Sequence, residues 1–383
     1  MSVTAAQGFS AAGIWAGIKT DRPDLAMVVN QGPRRAAAGV LTSNRVRAAP
    51  VVWCEQVLAH GEVGAVVLNS GGANACTGPD GFQDTRATAE KAAAVLDGHR
   101  AETTAVASTG LIGIRLPMER LLTGIEKAAA ELSPDGGERA AVAIMTTDSV
   151  PKTAVARRAG WTVGGMAKGA GMLAPGLATM LVVLTTDADL DAATLDRALR
   201  AATRVTFDRI DSDGCMSTND TVLLLASGAS EVVPGYQEFA EAVRTVCGDL
   251  ARQLIADAEG ASKEIRIDVV GAHSEDDAVL VARSIARNNL LKCAIHGEDP
   301  NWGRVLAAIG TTSAVFDPDR LNVAMNGVWI CKDGAIGMDR NAVDMTGREV
   351  VVTADLAAGG ECATIWTNDL TGAYVHENSA YSS

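Results

Sequence analysis

The sequence has few aromatic residues and too few basic ones to balance its acids. Phe, Trp and Tyr make up only 4% of the 383 residues, so a core has to be built from Ala, Val, Leu and Ile. Lys and Arg total 33 against 46 Asp and Glu, a formal net charge of −13. Such a surface repels phosphate groups. We therefore expect neither a nucleic acid nor an anionic membrane as a partner.

Paired cysteines, long apolar runs and a leader segment are also missing. The seven cysteines are scattered and never in C-x-x-C spacing, which argues against a disulfide framework or a zinc site and favours the reducing cytoplasm. No uncharged apolar run reaches the length of about 18 residues that a membrane-spanning helix needs. The N-terminus has no basic stretch followed by an apolar one, so no signal peptide is expected.

Short apolar runs alternate with helical patterns along the chain, whose length predicts two or more packed units. We predict strands at residues 65–68, 103–107, 181–185, 264–270 and 322–325. Helices are predicted at residues 87–96, 190–200, 237–256 and 275–287. Because strands and helices interleave, the fold class is α/β or α+β, with mixed sheets covered by helices.

The one break in composition is a glycine-rich stretch, residues 160–175, which runs into Pro175-Gly176 and then Ala178-Thr179. Glycine allows close backbone approach, and Pro-Gly favours a turn. A hydroxyl placed after such a turn can attack the preceding carbonyl. An N→O acyl shift and ester hydrolysis would then free the α-amine of Thr179, which has a pKa of about 8 and can act as the base for its own Oγ.

Two plainer interpretations also fit this stretch. A glycine-rich loop before an apolar strand is common in proteins. A phosphate-binding loop could use Lys168, which lies among the glycines, but the G-x-x-x-x-G-K-[S/T] order is absent. Only five histidines are present, and no Ser/His/Asp order stands out as an alternative catalytic group.

Residues 164–181 (GGMAKGAGMLAPGLATML) resemble the cleavage region of the ornithine acetyltransferase, or glutamate N-acetyltransferase, family. That family's pattern is close to K-G-x-G-M-[I/L]-x-P-x-[M/L]-A-T-[M/L]-L. Seven further blocks match in the same order: LNSGGANACTG (68–78), ASTGLIG (107–113), IMTTD (144–148), STNDT (217–221), DAEGASK (257–263), AIHGEDPNWGR (294–304) and YVHENSAYSS (374–383). The chain departs from the usual family residues at Ala170, Gly176, Ala258 and Ser383.

The resemblance implies an α/β fold of layered mixed β-sheets sandwiched by helices, with a smaller second lobe. It implies self-cleavage between Ala178 and Thr179 into residues 1–178 and 179–383, two chains that share one fold and assemble as a heterotetramer of two copies each. The implied reaction is acetyl transfer from N2-acetyl-L-ornithine to L-glutamate through an acetyl-Thr179 ester, in arginine biosynthesis. It needs no metal or organic cofactor. Some family members also use acetyl-CoA as the donor, and the sequence leaves this open.

The resemblance also implies an oxyanion hole and a carboxylate contact. Thr109 and Gly110 match the family's oxyanion hole, supplied by a loop after the strand predicted at 103–107. Without the family, Ser108-Thr109-Gly110 would be interpreted as an ordinary turn. Lys168 matches the contact for a substrate carboxylate, although by itself it would be interpreted as a solvated loop lysine.

The remaining implied substrate contacts are Thr147, with Thr146 as the alternative, and Thr179, Glu259, Asn378 and Ser383. A carboxylate such as Glu259 suits the substrate's α-ammonium group. For residues 294–304 we predict only a structural role in linking loops. Two rival functions remain open: a hydrolase that uses the same threonine with water as acceptor, and a metabolite-binding protein without catalysis.

Overall fold

The structure, a computed structural model, describes residues 2–174 and 180–380. The strands within them are β1 Phe9–Ile14, β2 Leu25–Asn30, β3 Ala36–Leu41, β4 Ala65–Ser70, β5 Thr104–Thr109, β6 Lys152–Arg158, β7 Trp161–Lys168, β8 Leu181–Thr186, β9 Thr221–Ala226, β10 Glu264–Ala272, β11 Asn322–Met325, β12 Val328–Lys332, β13 Ala335–Ile336, β14 Glu349–Asp355 and β15 Glu361–Asn368. The helices are α1 Ala49–Leu58, α2 Gly78–Val95, α3 Met118–Ala130, α4 Gly137–Ala143, α5 Ala192–Val205, α6 Tyr236–Ala256, α7 Glu275–Ala286, α8 Asn289–His296, α9 Trp302–Ile309 and α10 Gly372–Ala380.

The chain divides into two compact units. The larger comprises Met1–Asp208 and Cys215–Leu254, and the smaller comprises Arg209–Gly214 and Ile255–Ser383. The larger unit has one sheet in the order β1-β2-β4-β5 and another in the order β3-β9-β8-β7-β6, while the smaller has β13-β12-β11-β14-β10-β15. Each sheet combines one parallel pair with antiparallel pairs; the parallel pairs are β4–β5, β8–β9 and β10–β14. The prediction of an α/β fold with mixed sheets is confirmed.

The larger unit is layered because its strands are apolar on both faces. Along β4, Val66 and Leu68 face a central core that also contains α1 and α4, while Val67 faces a second core built with α2 and α3. Leu181 of β8 joins the central core from the other sheet. Small residues permit this close layering: a Cβ added to Gly136, at the start of α4, would lie 1.8 Å from the carbonyl oxygen of Ala11 in β1.

Most predicted elements are present, and their ends show where the predictions were wrong. The strand predicted at 103–107 extends to Thr109, because Ser108 and Thr109 are buried and pair with Asn69 and Ser70 of β4. Polar side chains at the end of an apolar run are typical of a loop, but here they continue the strand. The helix predicted at 190–200 begins only at Ala192, since the Asp191 side chain accepts from the Thr194 amide and caps it.

The predicted cleavage point follows β7 and precedes β8 along the chain. These two strands pair antiparallel, with Lys168 opposite Leu181. Both predicted pieces therefore contribute strands to one sheet. Ala178 and Thr179 themselves lie outside the described residues, as does Ser383.

In the smaller unit, β10, β11 and β14 pack their apolar faces against α7 and α9 in a single core. Helix α10 ends the described part of the chain. Among all the helices described, none combines the length and apolarity needed to cross a membrane.

Candidate active site

Two strand ends in the larger unit bring Thr109 and Lys168 into contact. Thr109 is the last residue of β5 and Lys168 the last of β7, and they are 3% and 1% exposed. Lys168 Nζ donates to Thr109 Oγ1 at 3.2 Å. The expectation of a loop position for Thr109 was wrong, as was the interpretation of Lys168 as a solvated lysine. Both side chains are buried because the strands that carry them are buried.

Thr109 and Gly110 are placed to offer two hydrogen-bond donors. Because Thr109 Oγ1 accepts from Lys168, its own hydroxyl proton is available to another acceptor. No acceptor in the described part of the chain takes the Gly110 N–H. Gly110 has a φ of +132°, and a Cβ there would lie 2.5 Å from the Gly72 nitrogen, so only glycine fits. A hydroxyl and an adjacent amide are a suitable pair to stabilise an oxyanion.

Asp148 is the buried anion that balances the lysines around this strand end. Its Oδ1 accepts from Lys152 Nζ at 2.7 Å and from the Gly169 amide at 2.6 Å. Burial raises the pKa of Asp148, but the charges of Lys168 and Lys152 and the hydrogen bonds outweigh it, and the pKa is lowered to about 2. Asp148 is therefore ionised at neutral pH and holds the backbone just after Lys168.

The two threonines left open as alternatives lie on the turn that ends in Asp148. Thr146 is buried, and its amide donates to Asp148 Oδ2 at 2.9 Å, while Thr147 is half-buried. Both threonines lie close to Asp148 in the chain, and the substrate contact by Thr147 rather than Thr146 stays a prediction.

Lys19 was missed by the sequence analysis. Its Nζ donates to the Met145 carbonyl oxygen. Burial, followed by the charges of Arg22 and Lys168, lowers the pKa of Lys19 to about 8. Lys19 lies in none of the blocks that carry the family resemblance, and a lone lysine gives no other signal. Its proximity to Lys168 depends on the fold.

Glu259 and Asn378 are brought together in the smaller unit. Asn378 Nδ2 donates to Glu259 Oε2 at 2.9 Å and to the Tyr374 carbonyl oxygen at 3.1 Å. Thr371 Oγ1 donates to the Gly260 carbonyl oxygen at 2.7 Å, which ties the start of α10 to the turn that contains Glu259. The C-terminal segment is therefore fixed on this turn as far as Ala380, where a frayed tail would ordinarily be expected.

Other carboxylates surround this pair. Burial, with the charges of Glu259 and Asp257, raises the pKa of Glu377 above its ordinary value. Like charges raise a carboxyl pKa because each disfavours ionisation of the next. The surface that contains Glu259 is thus negative and suited to an ammonium group.

The block at residues 294–304 makes structural contacts, in keeping with the role predicted for it. His296 Nδ1 lies 2.9 Å from Asp369 Oδ2. Asp369 also accepts from the amides of Ser262 and Lys263 at 2.9 and 2.8 Å, and Lys263 Nζ lies 3.0 Å from Glu298 Oε1. The block holds the 257–263 segment in place.

Comparisons with known proteins identify the family. A family model described as the ArgJ family matches residues 10–383. The arginine biosynthesis bifunctional protein ArgJ of Streptomyces avermitilis is 76% identical over 384 residues, and the protein of that name from Thermobifida fusca is 63% identical over 383; each match covers 100% of both chains. The crystal structure of an ornithine acetyltransferase complexed with ornithine from Mycobacterium tuberculosis is 56% identical, covers 47% of this chain and 96% of that chain, and has a TM-score of 0.45.

The predicted resemblance is confirmed by the family match and by relatives identical at more than half of their positions. The predicted enzyme class and pathway are confirmed with it. The chain belongs to the ArgJ family and is an acyltransferase of arginine biosynthesis.

Proposed function

We propose that this enzyme transfers acetyl from N2-acetyl-L-ornithine to L-glutamate through an acetyl ester on Thr179, after self-cleavage between Ala178 and Thr179. The observation that carries the proposal is the buried contact between Lys168 Nζ and Thr109 Oγ1. It joins a hydroxyl donor and a cation at two strand ends, and Lys168 lies eleven residues before the proposed nucleophile. Transfer of an acetyl group between two amino acids requires a hydrogen-bond donor for the oxyanion and a cation for the substrate carboxylate.

Each residue then has one chemical task. The α-amine of Thr179 takes the proton of its own Oγ as that oxygen attacks the acetyl carbonyl. Thr109 O–H and Gly110 N–H stabilise the tetrahedral oxyanion, each donor contributing about 2.7–4 kcal/mol. The amine of ornithine leaves with a proton, and the amine of glutamate attacks the ester in the reverse sense.

Charged groups bind the substrates during both steps. Lys168 binds the substrate carboxylate. Glu259 and Asn378 bind its ammonium group, and Thr147 and Ser383 supply further polar contacts. Glutamate and acetyl-ornithine take the same contacts in turn, because the transfer passes through one enzyme-bound acetyl group.

A second donor and an assembly complete the proposal. The curated relatives carry the word bifunctional in their names. We propose that acetyl-CoA also acetylates Thr179, so that the enzyme makes N-acetylglutamate from acetyl-CoA and glutamate. Residues 1–178 and 179–383 form a heterotetramer of two copies each.

One experiment tests the reaction. Purified protein is incubated with acetyl-labelled acetyl-ornithine, with and without glutamate, and the label is followed together with intact mass. We expect two chains of roughly 18 and 21 kDa, since residue masses average out over such lengths, and label in N-acetylglutamate only when glutamate is present.

The controls separate this function from its rivals. Thr179→Ala should remain a single uncut chain and transfer nothing. Release of free acetate without transfer would favour the hydrolase. An active, uncut wild-type chain would refute self-cleavage. Parallel double-reciprocal lines for the two substrates are expected, and intersecting lines would instead indicate a ternary complex.

A further inference from the structure

One segment of the larger unit has no role in the proposed mechanism. It contacts both the strand end that carries Thr109 and the residue that follows Thr179. Residues 217–220 precede β9 within the STNDT block. Asn219 Nδ2 donates to the Ser108 carbonyl oxygen at 2.8 Å and to the Ala73 carbonyl oxygen at 2.6 Å. Ser108 directly precedes Thr109, so Asn219 fixes the strand end that carries the oxyanion donors.

The next residue, Asp220, fixes the chain on the other side. Asp220 is fully buried, and its Oδ1 accepts from the Met180 amide at 3.0 Å. The Thr221 amide donates to the Met180 carbonyl oxygen at 3.1 Å. Met180 is thus held at both its N–H and its C=O. Its nitrogen is bonded to the carbonyl carbon of Thr179, so Asp220 holds the residue that directly follows the proposed nucleophilic threonine.

The carboxyl group of Asp220 is held in an unusual state. Its Oδ2 has no hydrogen-bond partner among residues 2–174 and 180–380. Burial raises the pKa of Asp220 well above its ordinary value, and the Met180 amide, the charge of Lys168 and the nearby hydroxyl groups of Thr42 and Ser217 oppose this without reversing it. Burial therefore favours the protonated form of Asp220 more than it is favoured in an exposed aspartate, while Oδ1 accepts from the Met180 amide. A protonated carboxyl group has one acceptor oxygen and one donor, and a side-chain amide has the same arrangement.

We propose that Asp220 is a positioning residue for the self-cleavage and acetyl transfer set out above, and that it holds Thr179 in register with Thr109 through the Met180 amide. The proposal rests on the proposed function, because it needs Thr179 to be the nucleophile. Asp220 and Asn219 are adjacent, so a single short segment sets the position of both partners. A misplacement of reacting groups by about 1 Å can cost about 100-fold in rate, which gives such a segment a measurable effect.

A matched control exists at the opposite end of β8. Asp187 is also buried, and it accepts from two backbone amides, Gln7 at 3.0 Å and Thr162 at 2.7 Å. Asp220 directly precedes β9, whose first residue pairs with the first residue of β8. Asp187 directly follows the last residue of β8. Loss of either carboxyl removes buried hydrogen bonds, but only Asp220 contacts the residue next to Thr179.

The test is a time course of intact mass after cell-free synthesis of the full chain, with thermal unfolding measured on each variant. Asp220→Ala should slow the appearance of residues 1–178 and 179–383 by about 10- to 100-fold, the rate equivalent of a lost buried hydrogen bond. Asp220→Asn keeps the acceptor and a donor and should cleave within about threefold of wild type. Asp187→Ala should unfold at a lower temperature and yet cleave at the wild-type rate.

Two results would overturn the proposal: a folded Asp220→Ala that cleaves like wild type, or a folded Asp220→Asn that cleaves more than tenfold slower. The second applies even when Asp220→Ala does not fold. A wild-type chain that never cleaves would instead refute the proposed self-cleavage. The role of Asp220 would then be judged by the turnover rate for acetyl transfer, and a wild-type rate in Asp220→Ala would overturn it.

Discussion

Two groups of charged and polar side chains differ in how the fold holds them. The strand-end group (Thr109, Asp148, Lys152 and Lys168) is buried in the larger unit, and its members contact one another at strand ends and an adjacent turn. The tail group (Glu259, Glu377 and Asn378) lies on a turn and on the C-terminal helix of the smaller unit, where Asn378 is exposed.

The difference in burial indicates which group tolerates the least change in its side chains. Buried charges interact strongly and cannot be relieved by solvent, so the loss of one member leaves its partner without compensation. Exposed charges are screened by water and salt, so each pair contributes little to the free energy of unfolding or of binding. We therefore expect the strand-end group to control folding and the rate of reaction, and the tail group to adjust substrate affinity.

The sharpest contrast is between two ion pairs with the same spacing along the chain. Asp148–Lys152 is fully buried, whereas Asp196–Arg200 is exposed. Asp148→Ala leaves the Lys152 charge buried and should lower the free energy of unfolding by about 3–5 kcal/mol. Asp196→Ala should cost less than about 1 kcal/mol. Denaturant unfolding of both variants measures this, and equal losses would break the comparison.

The next largest effect concerns the oxyanion donor. Thr109→Ala should lower kcat by about 10²–10³-fold with KM nearly unchanged, since the donor acts on charge that is present only in the tetrahedral state. Thr109→Ser keeps the hydroxyl and should retain most of the activity. Steady-state kinetics on protein shown by mass to be processed measures both. A fully processed Thr109→Ala that turns over at the wild-type rate would remove Thr109 from the oxyanion hole.

Low pH should reduce the stability that the strand-end group contributes to the folded protein. The pKa of Asp148 is lowered from 3.8 to about 2 by its lysine partners. A depressed pKa contributes stability that is complete above the unfolded-state value and is lost as pH falls through the folded-state value. We expect wild type to lose about 2 kcal/mol relative to Asp148→Asn between about pH 5 and pH 2. Unfolding curves at both pH values would show it, and parallel losses in the two proteins would contradict it.

The smallest effect is expected in the tail group. Glu259→Gln keeps the hydrogen-bonding oxygen but removes the charge, so the KM of substrates that carry an ammonium group should rise by about three- to tenfold, as for one partly exposed ion pair. The rise should shrink at high salt, because added ions screen an exposed pair. If the turnover rate fell as steeply as is expected for Thr109→Ala, Glu259 would belong with the strand-end group instead.

The sequence predicted the fold class because alternation of strands and helices is a local pattern. It also pointed to Thr109 and Gly110 through a block shared with a family. It did not predict that Lys168 is buried, because the glycines around it in β7 are typical of a loop. Here they permit close packing: a Cβ at Gly165 would lie 2.7 Å from the Leu184 side chain.

Contacts between distant parts of the chain were beyond sequence reasoning for a physical reason. Lys168 and Thr109 are 59 residues apart, and the contact between them depends on which strands end side by side. Asp220 likewise reaches Met180 across 40 residues. Local patterns determine where a strand forms, whereas its neighbours are determined by packing of the whole unit.

The strand order β3-β9-β8-β7-β6 has a consequence for a chain cut between β7 and β8. The first piece would supply β3, β7 and β6, and the second would supply β9 and β8 between them. Neither piece contains the whole of this sheet, so a piece standing alone would expose unpaired strand edges, which are sites of aggregation. The two pieces could not separate as a complex of two folded partners does. For this sheet, dissociation of the two pieces and unfolding would be the same event.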